Sequence, residues 1–198
     1  MDLSSKTIGF AMCGSHCTLE EVIPEVARLV KEGATVIPII SESVANTDTR
    51  FGSAQKWKDE LLRLTGRKPL STIVEVEPIG PKKLLDIMVV APCTGNTMAK
   101  IANAITDSTV TMAVKAHLRN DRPVVLAIST NDALGNNARN LGVLLATKNV
   151  FFVPFGQDNP QGKPKSLVAR LDLLKVTILE ALSGKQIQPL LLGYNPVA

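Results

Sequence analysis

Three of the residues best suited to chemistry in this sequence crowd into one short stretch. In "CGSHC" the thiols of Cys13 and Cys17 flank one of only two histidines, His16, and a third thiol, Cys93, lies far along the chain. Three thiolates and an imidazole would make a zinc set. The spacing C-x-x-H-C is not that of a zinc knuckle, however, and Cys13 ends an apolar run where cysteine behaves as a small hydrophobe. No metal is therefore expected. A Cys–His nucleophilic pair is a second option, but His16 and Cys17 are sequence neighbours whose side chains diverge at a helix start. His16 is better placed as a ligand contact or a proton carrier. The third option is a loop that holds an anion. Gly14 lets the backbone approach a ligand, Ser15 adds a hydroxyl, and a helix opening near Thr18 aims its first N–H groups at the same point. Equally, Gly14 is what any tight strand-to-helix turn requires, and both readings stand at this point.

Two phosphate signatures are missing. Gly9 and Gly14 have P-loop spacing, but no lysine follows Gly14, and there is no G-x-G-x-x-G. Glu42 stands where a ribose-binding acid would sit, so NAD is possible without being indicated.

The composition narrows the function further. The chain has 198 residues, 45% hydrophobic and 20% charged, with a formal charge of +4, as expected for one domain with a single core. Lysine and arginine are scattered, and aromatics are few and not interleaved with them, which argues against nucleic acid. No apolar run reaches the length of a membrane span, and the start lacks the pattern of a signal peptide. An odd number of cysteines, three, argues against a disulfide framework and fits a reducing interior. A cytoplasmic protein is expected.

The elements that must position these residues alternate. Lys6–Met12 reads as a strand. A helix follows, opened by Thr18 with Glu21 as a capping box and carrying Val22, Ile23, Val26, Leu29 and Val30 on one face until Gly33. "ATVIPII" is a second strand, with Pro38 marking an edge or a bend, and Ser53–Thr65 a helix closed by Gly66. "STIVEVE" and "DIMVVAP" read as strands three and four. Helices follow at Gly95–Asn103 and Ser108–Leu118, then strand "RPVVLAIS", helix Asn136–Thr147, strand "NVFFVPF" and an amphipathic helix Ser166–Ser183. The pattern predicts an α/β fold, a doubly wound parallel sheet of six strands with helices on both faces, over residues 1–184, and a tail over 185–198. Ligands of such a sheet bind beyond the carboxyl ends of its strands. The residues there are small, hydroxyl-bearing or amide: Gly14 and Ser15, then Ser41 and Ser43, "PCTGNT", "STNDALGNN" and "GQDNPQGKPKS".

The segment "APCTGNTMAKIANAITDS" resembles the Pro-Ala-Ser-Ala-Asn-Thr stretch of the flavoprotein family that includes phosphopantothenoylcysteine decarboxylase, the lantibiotic-type cysteine decarboxylases and the flavin prenyltransferases. The likeness spans about residues 6 to 155. It implies a Rossmann-like flavoprotein that binds FMN through Pro92, Cys93, Thr94, Gly95, Asn96 and Thr97, with Gly14, Ser15, Ser41 and Ser43 matching further FMN contacts of the family. "GFAMCGSHCT", "STNDALGNNARNLG" and "VPFGQDNPQGKPKSL" are similar to one branch of it, one chain of a two-chain sporulation enzyme. That branch oxidises a dihydropyridine dicarboxylate. It implies a partner, the A subunit, as a candidate carrier of NADP, a homo-oligomer, and the mother-cell cytoplasm of a sporulating bacterium.

Two departures from the family bear on the reaction. Asn131 stands where the decarboxylases have the Asn of a Pro-x-Met-Asn loop, but the Pro and Met are gone. The helix after the second strand, "RFGSAQKWKDELLRL", lacks their catalytic histidine. The resemblance thus implies a flavin pocket with changed chemistry, that of an oxidoreductase. By residue chemistry His16 is the best candidate for its base, an imidazole being poised near neutrality, and Asn131, beyond the fifth strand, is the amide placed to meet a flavin edge or substrate carboxylate. Arg139, Lys163 and Lys165 are candidates for clamping a small dicarboxylate, although lysines in a Gly/Pro-rich loop are often only solvated. Two other classes remain open here: a non-catalytic activating or scaffold partner of an NADP-using A subunit, and a module that holds phosphate at the Gly14–Ser15 turn.

Overall fold

A computed structural model describes residues 2–193 of the chain. It contains, in order, β1 (Thr7–Met12), α1 (Leu19–Lys31), β2 (Thr35–Ile40), α2 (Glu42–Asn46), α3 (Ala54–Thr65), α4 (Ile73–Val76), β3 (Ile87–Cys93), α5 (Gly95–Ala102), α6 (Thr109–Leu118), β4 (Val124–Thr130), α7 (Ala138–Leu145), β5 (Val150–Phe152), β6 (Phe155–Gly156), β7 (Leu167–Ala169) and α8 (Leu174–Leu182). Five strands run parallel in the order β2-β1-β3-β4-β5. The order turns back at β1 and β3, the switch point where a doubly wound sheet opens a crevice.

The α/β architecture is thus the one expected, with one correction: the sheet is mixed and has seven strands. The lower half of β4 pairs with β5, while its end pairs antiparallel with β7, Ser129 opposite Val168 and Thr130 opposite Leu167. β6 pairs antiparallel with β7 in turn. The strand expected over "NVFFVPF" is therefore broken into two at Val153–Pro154. The last helix does not begin at Ser166: residues 167–169 are a strand, 171–173 a 3-10 turn, and the helix proper starts at Leu174. "STIVEVE" is not a strand either. Thr72 accepts from the Glu75 amide while the Glu75 carboxylate takes the Thr72 amide, a reciprocal cap that folds the segment into α4.

β1, β3 and β4 are buried along nearly their whole length, which is why they read as continuous apolar runs. β2 lies at the edge, where Pro38 removes no ladder donor that the sheet needs. The opposite edge is covered by the chain after α8. The Gln186 side chain bonds both the amide and the carbonyl of Phe152, at 2.8 and 2.7 Å, in place of another strand, and Leu191 bridges to Phe155. Such cover protects an open edge from pairing with another chain. Of the expected tail, residues 194–198 lie outside the described residues. No helix among the described residues is long and apolar enough to cross a membrane.

Candidate functional site

Because the strands are parallel, β1, β3 and β4 deliver the loops that follow them to one rim of the sheet. There they enclose a cleft of about 700 Å³ lined by Gly14, Ser15, Thr18, Thr94, Gly95, Asn96, Ser129 and Thr130 among others. Of the residues singled out in the sequence, Gly14, Ser15, Thr94, Gly95, Asn96, Asn131 and Lys163 meet there.

The others lie elsewhere. Ser41 caps α2, its hydroxyl accepting from the Val44 amide at 3.4 Å. Ser43 and His16 form a pair behind Gly14, the Ser43 hydroxyl 3.1 Å from His16 Nε2, while His16 Nδ1 is buried without a partner among the described residues. Pro92 and Cys93 are buried at the end of β3. Thr97 is buried too and donates to the Cys13 sulfur at 3.3 Å. Arg139 is exposed on α7 and Lys165 on the β6–β7 loop, neither lining the cleft. Glu42 accepts from the amide and hydroxyl of Thr109 at 2.9 and 3.0 Å, so it ties α2 to the start of α6 and is not presented to a ribose.

The thiols are set apart by burial. Desolvation pushes the Cys13 thiol up to about 11 despite its bond from Thr97, and burial followed by proximity to Cys13 raises Cys93 well above its ordinary range. Neither is a thiolate near neutrality. Cys17 is exposed and lines the cleft.

Several lining residues lie in the strand-end stretches but are not among the contacts expected from the sequence. Thr18, expected to cap α1, makes no such bond. Its hydroxyl, that of Ser15 and that of Ser129 instead form a triangle with sides of 3.0, 3.0 and 3.1 Å. Three hydroxyls that satisfy one another can turn together toward a ligand without leaving a polar group stranded. Thr130 and Asp132 follow on the same strand end, and Glu21, Asp158, Ser166 and Val168 close the cleft from α1 and the β6–β7 loop. Burial pushes the Asp158 carboxyl up, but bonds from Ser166 and Lys163 outweigh it and hold it below the usual range; Lys163 Nζ stands 3.2 Å away. The charged lining is thus three carboxylates against one lysine that is already paired.

Residues 1–170 match the family model described as Flavoprotein. The chain belongs to the flavoprotein family. It is 56% identical over 189 residues, 96% of its length and 94% of the relative's, to the dipicolinate synthase B chain of Bacillus subtilis (strain 168). A crystal structure of the corresponding dipicolinate synthase B chain from Bacillus halodurans C superposes with a TM-score of 0.90 at 52% identity, over 98% of this chain and 99% of that one. The fold extends to a neighbour with little sequence in common. The structure of Burkholderia xenovorans DmrB in complex with FMN matches with a TM-score of 0.65 at 18% identity, over 90% of this chain and 96% of that one.

Proposed function

We propose that this chain is the FMN-binding member of a two-chain dehydrogenase that oxidises dihydrodipicolinate to dipicolinate (pyridine-2,6-dicarboxylate) during sporulation. The partner is an A subunit of dipicolinate synthase, which carries NADP where a nicotinamide is used, and the pair works in the mother-cell cytoplasm with this chain as a homo-oligomer. The observation that carries the reading is the cleft itself, a cavity of about 700 Å³ with hydroxyl and amide walls that the 92–97 segment helps to form. That volume falls in the range of cofactor sites. The likeness to the dipicolinate synthase B chains supports the substrate, and the FMN held by DmrB supports the cofactor.

The donors fit a mononucleotide. Ser15, Thr18 and Ser129 suit ribityl hydroxyls, and Thr94, Gly95 and Asn96, at the start of α5, suit the polar edge of the ring. A phosphate tail would lie at Gly14, which has the Ser43–His16 pair behind it, with Ser41 and Ser43 as the hydroxyls that would meet it. When bound, FMN provides the hydride acceptor. The chain's own contribution is to orient the substrate and take up a proton. Asn131 on the rim offers an amide to a substrate carboxylate, and Lys163 a cation once it exchanges its bond with Asp158. His16 stands outside the cleft lining, so a role as base requires a proton path past Gly14.

The excess of carboxylates favours a second reading, in which this chain activates or supports an A subunit that holds the dicarboxylate and moves the hydride. Reconstitution separates the two. Both chains are mixed with the dihydro substrate, with and without FMN, and the pyridine product is followed by its ultraviolet absorbance. The first reading expects FMN-dependent output and at least a tenfold loss in Asn131→Ala, on the order of one hydrogen bond to a charged group. Full output without FMN, undiminished by Asn131→Ala, would establish the second.

A further inference from the structure

The end of β4 places Asp132 in the cleft lining, and two side chains donate to its carboxylate. Thr130 Oγ1 donates to Oδ1 at 2.5 Å and Asn137 Nδ2 to Oδ2 at 2.7 Å. Asn137 in turn accepts from Asn140 at 2.8 Å, and Asn140 from Asn103 at 3.1 Å. Three amides therefore donate in one direction, Asn103 to Asn140 to Asn137, and the last two are buried. Such a chain polarises itself and strengthens the negative charge at its end. No lysine, arginine or histidine among the described residues forms an ion pair with Asp132.

Gly95 completes the arrangement. A Cβ there would lie 2.6 Å from Asp132 Oδ1, 2.6 Å from Thr130 Oγ1 and 2.8 Å from Asn137 Nδ2. The carboxylate is packed flush against bare backbone at the start of α5, the position where the resembling family carries alanine. Each carboxylate oxygen has accepted one bond and retains room for a second. The carboxylate is an acceptor alone, so it repels carboxylate and phosphate and calls for an N–H or O–H donor.

Resting on the flavin reading above, we propose that Asp132 selects the flavin ring by accepting its N3–H, the one N–H of an oxidised isoalloxazine. The other donors of FMN are ribityl hydroxyls, for which the Ser15–Thr18–Ser129 triangle provides exchangeable partners between the end of β4 and the loop after β1. Gly95, by lacking a side chain, lets the Asp132 carboxylate sit against the start of α5 within the cleft lining. The dicarboxylate substrate is kept from this end of the cleft by the same charge.

The test is the affinity of the full chain for FMN and for N3-methyl-FMN, each titrated by flavin fluorescence, in the wild type and in Asp132→Asn. The wild type is expected to bind FMN roughly tenfold to a hundredfold more tightly than the methylated analogue, the range of a hydrogen bond to a charged group. In Asp132→Asn that ratio shrinks toward one. Equal binding of the two flavins by the wild type overturns the proposal without needing the variant to fold, and so does a ratio that Asp132→Asn leaves unchanged. If neither flavin binds the wild type, the flavin reading itself falls and this proposal with it.

Discussion

Ser15 and Ser129 stand 114 residues apart in the chain and 3.0 Å apart in space, hydroxyl to hydroxyl. Their bond closes the loop after β1 onto the end of β4 and makes one wall of the cleft. Removing the Ser129 hydroxyl deletes two of the three bonds in the triangle. Ser129→Ala is expected to cost about 1 kcal/mol of stability and to weaken FMN binding roughly fivefold. Thermal unfolding and a flavin titration on the same sample check both, and an unchanged affinity would remove the triangle from the ligand site.

Gly95 and Asp132 compete for one volume. Gly95→Ala drives a methyl into the Asp132–Thr130–Asn137 contacts and is expected to destabilise the chain by ~1–3 kcal/mol. Adding Asp132→Ala removes one of those clashes and frees Thr130 and Asn137 to turn away. The double variant should therefore lose less stability than the two single variants together, a non-additivity measurable by urea unfolding. Strict additivity would mean that the two residues do not share the space.

The second histidine bears on stability. His117 is 1% exposed and donates from Nε2 to the Pro123 carbonyl at 3.1 Å. Burial lowers it from the ordinary 6.5 to about 4, more than the bond to Pro123 raises it. Below pH 6.5 the unfolded chain takes a proton that the folded chain refuses. The stabilisation is therefore complete above pH 6.5 and is lost as the pH falls toward about 4. Over that window the loss is at most ~3 kcal/mol. Urea unfolding at about pH 7.5, above that window, and at about pH 4.5, near its lower end, should show a smaller drop in His117→Gln than in the wild type, and equal drops would contradict the assignment.

Thiol labelling reads burial and occupancy together. Cys17 is exposed in the cleft, whereas Cys13 and Cys93 are buried with raised thiols. One cysteine per chain is expected to react with iodoacetamide under native conditions and all three in denaturant. Saturating FMN should slow the native reaction. Fast labelling of two or more sites would contradict the packing of β1 against β3.

Much of the frame was legible because buried parallel strands announce themselves as apolar runs: β1, β3 and β4 fall where those runs lie. What the sequence concealed has local causes. The alternation in "STIVEVE" mimics a half-buried strand, yet Thr72 and Glu75 carry the spacing of a capping box, a signal that period-two reading overrides. β7 is three residues long, too short to show a period, and its own Leu167 joins Leu171 and Leu174 after it in a helical pattern. The 92–97 segment pointed to the cleft, but the partners on the facing wall could not be read from it. Thr18 looks like a helix cap, and Ser129, Thr130 and Asp132 look like turn formers. Only the convergence of β1 and β4 turns them toward one another. The same limit applies to His16, whose chemistry made it a candidate but whose side chain pairs with Ser43 behind Gly14.

The central claim is that the rim between β1, β3 and β4 holds FMN. Equilibrium dialysis of the purified chain against FMN, with bound flavin read from its visible absorbance, tests it most directly. Saturable binding is expected at one flavin per chain, weakened by Ser129→Ala and Gly95→Ala. No retained flavin at millimolar FMN, with the chain folded and alone or mixed with the proposed A subunit, would contradict it.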